Sequence, residues 1–340
     1  MNTPPVLSIT IKTLDEEAKI GPAIESALAA ANEIPGPVEI VIADSLSTDK
    51  TVGVASRYPV RVVQFVNKRD CGCGAGVQLG YQHSLGEFVY ILDGDMEFVP
   101  GFLGKAYQTI SQDEKLGGVA GLHEDTRIRN VVDQIRVTNK AASQPGEVRY
   151  LNCGGLYRRA AIDSAGGYAS NRNLKAYEEA ELGFRLGSAG WKLLRMPVAA
   201  VRHTGHDLGT FELMLRHWKS RRAMAAGVLL RTAIGQPWWK GPVHLLMHPL
   251  AVMAWWLMFI VALAALPSWV AWGLLAAFAT VIGLLALKKR SASHVATSVF
   301  DWHYTAAAIC IGFFYPRRPP ETPIASRVLH ESDALRPSGE

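Results

Sequence analysis

Cysteine is scarce in this chain: four residues in 340 (Cys71, Cys73, Cys153 and Cys310), none in CxxC spacing. That excludes a disulfide framework as the source of stability, and Cys71-Gly72-Cys73 supplies two thiolates where a structural zinc site takes four ligands. Charge is thin as well. Only 19% of residues are charged against 49% hydrophobic, which is apolar for a soluble protein and directs attention to where the apolar residues lie. No cleavable leader is read at Met1-Asn2-Thr3-Pro4-Pro5, so the expected setting of the globular part is the reducing cytoplasm. A basic motif interleaved with aromatics is also missing, which removes nucleic acid as the reason for a net charge of +5.

The positive charge is local. Between Arg202 and Lys240 seven Lys or Arg residues face two acids, a balance equal to that of the whole chain. Two apolar runs follow. Met247 to Leu266 carries a single His and Ser268 to Leu287 carries no charge, each 20 residues and long enough to cross about 30 Å of hydrocarbon. Pro267 between them marks a helical hairpin, and the flanking cations, ending in Lys288-Lys289-Arg290, place both its ends on the cytoplasmic side. Val299 to Tyr315 is interrupted by Asp301 and His303 and reads as an interfacial segment or as a third span. The Pro- and Ser-rich end, 317–340, is expected to be disordered.

The first half alternates strand-type and helix-type segments. Val6 to Ile11, Val38 to Ala43, Arg61 to Val66 and Phe88 to Leu92 are β-rich. Between them, Ile20 to Ala31, a segment capped by Ser47 or Thr48, and Gly76 to Leu85 have helical patterns. Near-continuous apolar strands in βαβα order imply an α/β fold, a doubly wound and mostly parallel sheet covered on both faces. Further strands are expected at Gly118 to Leu122, Asn152 to Arg159 and Trp191 to Met196, and helices at Asn130 to Lys140 and Glu178 to Ala189. In such sheets ligands bind at the carboxyl ends of the strands, where Thr13, Asp44 and Asp93 fall.

Asp93-Gly94-Asp95 closes the fourth strand. On extended backbone alternate side chains share a face, so Asp93 and Asp95 can address one cation, with Glu97 continuing the series if the chain stays extended. Carboxylate oxygens suit Mg²⁺ or Mn²⁺, and Gly94 leaves room for a phosphate. Glu178-Glu179 opens a helix, where acids are favoured by the dipole even without a chemical role.

Taken in order, Thr13-Leu14-Asp15-Glu16-Glu17, Asp44-Ser45-Leu46-Ser47-Thr48-Asp49, Gly72-Cys73-Gly74-Ala75-Gly76 and Asp93-Gly94-Asp95 resemble the family 2 glycosyltransferases of the GT-A fold. Gly154 to Arg159 and Glu178-Glu179-Ala180-Glu181-Leu182 resemble that family's acceptor-side motifs, so the likeness covers about residues 6–205. Three departures stand out: Val77-Gln78 where the family often has Arg-Asn, Asp15 for a frequent Asn, and Ser45 for a frequent second Asp.

The resemblance implies metal-dependent, inverting transfer from a nucleotide sugar. It places Lys12, Thr13, Leu14, Glu16, Asp44, Ser45, Gly72, Asp93 and Gly94 on the donor. Asp95 and Asp93 would lie on Mg²⁺ or Mn²⁺, with His203 and Glu97 as further ligands. Glu179, or else Glu178, would be the base. Arg216, Arg221 and Arg222, near Trp218, either clamp the diphosphate or lie against lipid headgroups. The expected organisation is a catalytic domain over 1–205, a basic amphipathic linker over 206–242, membrane segments over 243–316 and the tail. The expected reaction is transfer from a UDP- or GDP-sugar to a lipid-linked or envelope polysaccharide acceptor at the inner (cytoplasmic) membrane, within an envelope-biosynthesis complex. Two alternatives stand beside it: a polyprenyl-phosphate glycosyltransferase, and a non-catalytic nucleotide-sugar-binding scaffold.

Overall fold

The computed structural model describes residues 4–125, 144–152, 154–203 and 209–332. The chain forms two compact units. One holds the described residues up to Arg222 together with those from Pro316 onward, and the other spans Ala223–Tyr315.

The first unit is built on one ten-stranded sheet. β1 (Leu7–Thr13), β2 (Val38–Asp44), β3 (Arg61–Phe65) and β4 (Phe88–Asp93) lie in the order 3-2-1-4 and are mutually parallel. Helices α1 (Ile20–Ala31), α2 (Thr51–Ala55) and α3 (Cys73–Gln82) make the crossovers that parallel neighbours require. The alternation in β4 shows why both faces are covered. Phe88, Tyr90 and Leu92 enter one core with Ile9, Ile11 and Ile42, while Val89 and Ile91 enter a second with Val77, Tyr157 and Leu182. Each such fully buried side chain contributes about 2 kcal/mol of transfer free energy.

Beyond β4 the sheet is mixed rather than mostly parallel. β5 (Met96–Phe98) follows β4 after a two-residue turn. Then come α4 (Phe102–Gln112), β6 (Leu116–Asp125), β7 (Gly146–Val148), β8 (Gly155–Arg158), α5 (Arg159–Ser164), α6 (Glu178–Ser188) and β9 (Lys192–His203). β8 inserts antiparallel between β4 and β6, and β9 pairs parallel with β6 but antiparallel with β5. β9 is longer than the strand expected to end at Met196. Pro197 falls within a register shift of the β6–β9 ladder, where its missing N–H costs no ladder bond. The helix expected at Asn130 to Lys140 lies outside the described residues, as do Cys153 and residues 204–208.

The expected tail is a strand where the structure describes it. β10 (Ser326–Glu331) pairs antiparallel with β3 and so covers the open edge of the parallel half of the sheet. Ile324, 2% exposed, packs with Val41, Val63, Phe65 and Leu79, which gives this Pro-rich stretch an apolar anchor that composition alone does not reveal. Helix α7 (Thr210–Lys219) belongs to this same unit.

The second unit is helical: α8 (Ala225–Ala233), α9 (Lys240–Leu245), α10 (Met247–Ala265), α11 (Ser268–Lys289) and α12 (Ala292–Gly312). α8 and α12 approach closely through Gly227 and Gly312; a Cβ on Gly312 would run into the Met224 carbonyl. α10 and α11 are long and apolar enough to cross a membrane, and their side chains remain bare, with Leu257, Leu263, Trp269 and Trp272 all more than 60% exposed. Apolar helices that bury so little of themselves have not found their solvent within the protein.

Candidate active site

Register brings the first residues of the site together. Lys12 stands opposite Asp93 across β1–β4, and Thr13 opposite Asp44 across β1–β2. Backbone hydrogen bonds close the strand ends, with Gly94 N donating to Lys12 O (2.9 Å) and Ser45 N to Thr13 O (2.9 Å). Gly94 is required by this closeness, since a Cβ there would lie 3.0 Å from Thr13 Oγ1 and 3.2 Å from Lys12 O. The Thr13 hydroxyl is buried and has no hydrogen-bond partner among the described residues, a donor left beside the closely approaching Gly94.

The acidic pair arrives from α6. Tyr177, just before it, holds φ at +64°, a conformation unusual for a non-glycine residue, and turns the chain sharply into the helix. Three acids occupy the first turn. Glu181 points inward, fully buried, with Arg185 Nε at 2.9 Å and the Tyr168 hydroxyl at 3.0 Å, so it anchors the helix. Glu178 and Glu179 are thereby delivered to the strand ends.

The Lys12 ammonium lies 3.1 Å from both Asp93 Oδ1 and Glu178 Oε1. Burial opposes a charged lysine here, but Asp93 and Glu178 outweigh it and hold the ammonium well above its usual range. Burial likewise pushes Asp93 up, with Lys12 opposing. For Glu178 burial acts upward, yet Lys12 and then Arg222 reverse it, leaving that carboxyl below its usual range. Glu179 goes the other way: burial first, then the neighbouring Glu178 charge, push it up to about 7. Its Oε1 accepts a hydrogen bond from Gly154 N at 3.1 Å. Two adjacent glutamates thus hold different protonation states near neutrality, the pattern of a fixed anion beside a proton acceptor.

Gly94 and Asp95 form a turn, and Asp95 Oδ2 lies 3.1 Å from His203 Nε2 and 4.0 Å from Lys19 Nζ. Glu16 sits close by, paired with Lys19 at 3.3 Å, and burial followed by the Asp95 charge raises its carboxyl. The same turn breaks the extended run on which Glu97 depended as a ligand. Glu97 lies exposed on β5 opposite Arg202 and is not drawn to the Asp95–His203 pair. Among the described residues no group of three or more His, Cys, Asp or Glu forms a ready cation cage. A hard carboxylate oxygen and an imidazole nitrogen 3.1 Å apart, largely buried at the strand ends, do fit a divalent ion that takes its remaining ligands from a diphosphate and water.

Asp44 is fully buried and already engaged. Its carboxylate accepts from Ser47 Oγ (2.5 Å), Ser47 N (3.1 Å) and Gln64 Nε2 (2.7 Å), so it shapes the β2–α2 turn. Asp15 ties that turn to β1, its N–H donating to Ser47 Oγ at 2.9 Å while its Oδ1 accepts from Thr48 N at 2.7 Å. Leu14 is 47% exposed at the tip of β1, and Ser45 is buried. Gly72 stands apart, facing Leu174 and Lys175 at the start of α3. The glycine run there serves packing: a Cβ on Gly74 would collide with the Asn171 and Leu174 carbonyls.

Lys19 and Gln64 join the residues read from sequence, and Arg222, expected either at the diphosphate or against lipid headgroups, lies close enough to Glu178 to lower its carboxyl. A lone Gln inside the apolar strand Arg61-Val62-Val63-Gln64-Phe65 is the readable signal for Gln64; Lys19 leaves none.

Fold and site together define a GT-A enzyme, with acidic groups gathered at the carboxyl ends of a nucleotide-type sheet. Residues 8–165 match Glycosyl transferase family 2. Among solved structures, the mannosyltransferase PcManGT from Pyrobaculum calidifontis in complex with GDP-Man and Mn²⁺ superposes with a TM-score of 0.58, covering 92% of this chain and 88% of that one at 21% identity. TarS 1-349 of S. aureus in complex with UDP-GlcNAc gives 0.53 over 67% and 66% at 18% identity. Among curated proteins, undecaprenyl-phosphate 4-deoxy-4-formamido-L-arabinose transferase of Pectobacterium atrosepticum is 26% identical over 133 residues, 38% of this chain and 41% of that protein. Dodecaprenyl-phosphate galacturonate synthase of Rhizobium johnstonii is 30% identical over 100 residues, 28% of this chain and 29% of that protein. The chain thus spans less than half the length of the curated relatives it matches. Residues 8–165 are thus those of a Glycosyl transferase family 2 domain.

Proposed function

We propose that this enzyme transfers a sugar from a nucleotide-sugar donor to the phosphate of a polyprenyl lipid. The curated relatives named above act on undecaprenyl or dodecaprenyl phosphate, which favours this acceptor over the polysaccharide that headed the sequence reading. The observation that carries the proposal is the Lys12 ammonium set 3.1 Å from Asp93 and Glu178, a fixed cation where two anionic substrates would meet.

In this reading the donor nucleoside lies along Lys12 to Glu16 and the Asp44–Ser45 turn, with the Thr13 hydroxyl and Gly94 at the diphosphate. An acceptor phosphate oxygen attacks the anomeric carbon on the face opposite the diphosphate. The new carbon–oxygen bond forms as the bond to the diphosphate breaks, the nucleoside diphosphate leaves with the electron pair, and configuration inverts. A phosphate brings its own nucleophilic oxygen, so Glu179 need only take the proton of a monoanionic acceptor. A divalent ion held by Asp95 and His203, with Asp93 beside them, would offset charge on the leaving diphosphate. Glu179, pushed up to about 7, also supports a second reading in which the acceptor is a hydroxyl and this carboxylate is its base.

The membrane reading gains from chain connectivity. Both ends of the helical unit continue into the catalytic unit, the second through β10, so the chain crosses a bilayer an even number of times between Arg222 and Pro316. α10 and α11 account for two crossings, which leaves α12 at the interface on the catalytic side. The cations flanking the hairpin support a cytoplasmic catalytic side, in keeping with the inner membrane as the setting.

Detergent-solubilised full-length protein, supplied with Mn²⁺, a panel of labelled UDP- and GDP-sugars and undecaprenyl phosphate, is expected to move label into organic-extractable lipid. Nucleoside diphosphate release matched by label in an oligosaccharide and none in lipid would favour the hydroxyl reading.

A further inference from the structure

We propose that Arg327, on the strand that returns after the membrane segment, is a positioning residue for the nucleotide-binding turn. It acts through Gln64 on Asp44. The Arg327 guanidinium donates to Gln64 Oε1 from Nε at 3.1 Å and from Nη2 at 2.5 Å. Gln64 Nε2 then donates to Asp44 Oδ2 at 2.7 Å, and Asp44 holds Ser47 through both its side-chain and backbone donors. Ser47 Oγ accepts from Asp15 N, so the relay ends at the tip of β1.

The relay has one polarity. A guanidinium only donates and a carboxylate only accepts, so the Gln64 amide must turn its oxygen to Arg327 and its nitrogen to Asp44. Glutamate at position 64 would set a second carboxylate against Asp44, and any apolar residue would leave a buried charge one donor short. Gln64 is 6% exposed and Asp44 fully buried, so water cannot readily replace the lost partner. Residue 327 lies on the ladder opposite Gln64, which is why β10 delivers a cation there.

The strand has other anchors. Arg61 pairs with Glu331 at 2.6 Å, and Ile324 is buried beneath the sheet edge. Arg327 is therefore not needed merely to hold β10, and its effect can be separated from strand attachment.

The inference rests on the reading that the Asp44 turn borders the donor nucleoside, and its test separates the two. Full-length protein in detergent is titrated with UDP and with GDP, each with Mn²⁺, and turnover is measured against donor concentration. Arg327→Ala is expected to weaken nucleotide binding and raise donor KM roughly fivefold to tenfold, with kcat within about twofold. Arg327→Lys, which keeps the charge but offers no fork, should fall between it and the parent and keeps the test open if the alanine variant folds poorly. Glu331→Ala should lower the melting temperature and leave nucleotide affinity as it was. Parental affinity in Arg327→Ala while Asp44→Asn loses binding overturns the relay, as does an equal affinity loss in Glu331→Ala. Unchanged affinity in Asp44→Asn overturns the reading of the turn, and the relay's functional role with it.

Discussion

Lys12 Nζ and Glu178 Oε1 stand 3.1 Å apart although 166 positions separate them in the chain. One comes from the end of the central strand and the other from the first turn of a helix that follows the β8 insertion. Their pairing joins the strand ends to the helix that carries the acidic pair.

Removing that cation leaves Asp93 and Glu178 facing each other with no shared partner. Lys12→Met is expected to lower stability by about 2 kcal/mol, less than for a fully buried pair because the Asp93 side chain is 36% exposed. Turnover should fall much further than stability. Chemical unfolding midpoints beside initial rates check both, and parental rates would remove Lys12 from the reaction centre.

Glu179 gives a pH signature. Its folded-state value of about 7 lies above the ordinary 4.5, so the native state keeps a proton the unfolded chain has released. Stability therefore declines as pH rises through that interval, by roughly 3 kcal/mol, and Glu179→Gln should be the more stable protein above pH 7. If the carboxylate accepts a proton during transfer, rates rise with an inflection near pH 7 that the Gln variant lacks. Melting temperature and rate, each followed from pH 5 to 9, separate the two effects.

The Asp95–His203 pair makes a claim on metal affinity. His203→Ala and Asp95→Asn are each expected to weaken Mn²⁺ binding in the presence of nucleoside diphosphate by roughly tenfold to a hundredfold. Electron paramagnetic resonance of free Mn²⁺ reads this directly, without reference to turnover. Glu97→Gln, on the exposed side of β5, should leave it unchanged.

The Glu181–Arg185 pair is structural. Arg185→Ala strands a fully buried carboxylate and should cost about 3 to 5 kcal/mol, read as a fall in the urea midpoint. Arg185 also stacks on Tyr168, its guanidinium carbon 3.8 Å from the ring centroid, so a lysine should restore only part of the loss.

Topology can be read by labelling. In a Cys310→Ser background, a cysteine at Ser268, between the two spans, should react with a membrane-impermeant maleimide from outside the cell. One at Ser291, before α12, should react only after the membrane is opened. Reaction of both from outside would contradict α11 as the second crossing.

The near-continuous apolar runs of the first four strands are legible because each strand is buried on both faces. The Asp93-Gly94-Asp95 closure is legible as the polar stop to the run Phe88 to Leu92, and β4 ends at Asp93. Glu178-Glu179 was visible as an acidic helix start, but their division of roles was not. Burial and the neighbour at 3.1 Å decide that Glu178 is the anion and Glu179 the group near neutrality, and both depend on residues far away in sequence. The condition on Glu97, an extended chain, is not met, since a two-residue turn at Gly94-Asp95 ends the extension on which its parity rests.

By itself the sequence determined the α/β alternation, the apolar hairpin and the order of the acidic motifs, because these depend on the identities of near neighbours and on periodicity. Tertiary structure alone decided that β8 and β9 enter a mixed sheet, that residues 326–331 complete the edge beside β3, and that Lys12, Gln64 and Arg327 serve carboxylates elsewhere in the chain. Edge pairing and buried charge pairing are contacts between distant segments, and their partners are set by which surfaces the folded sheet leaves open.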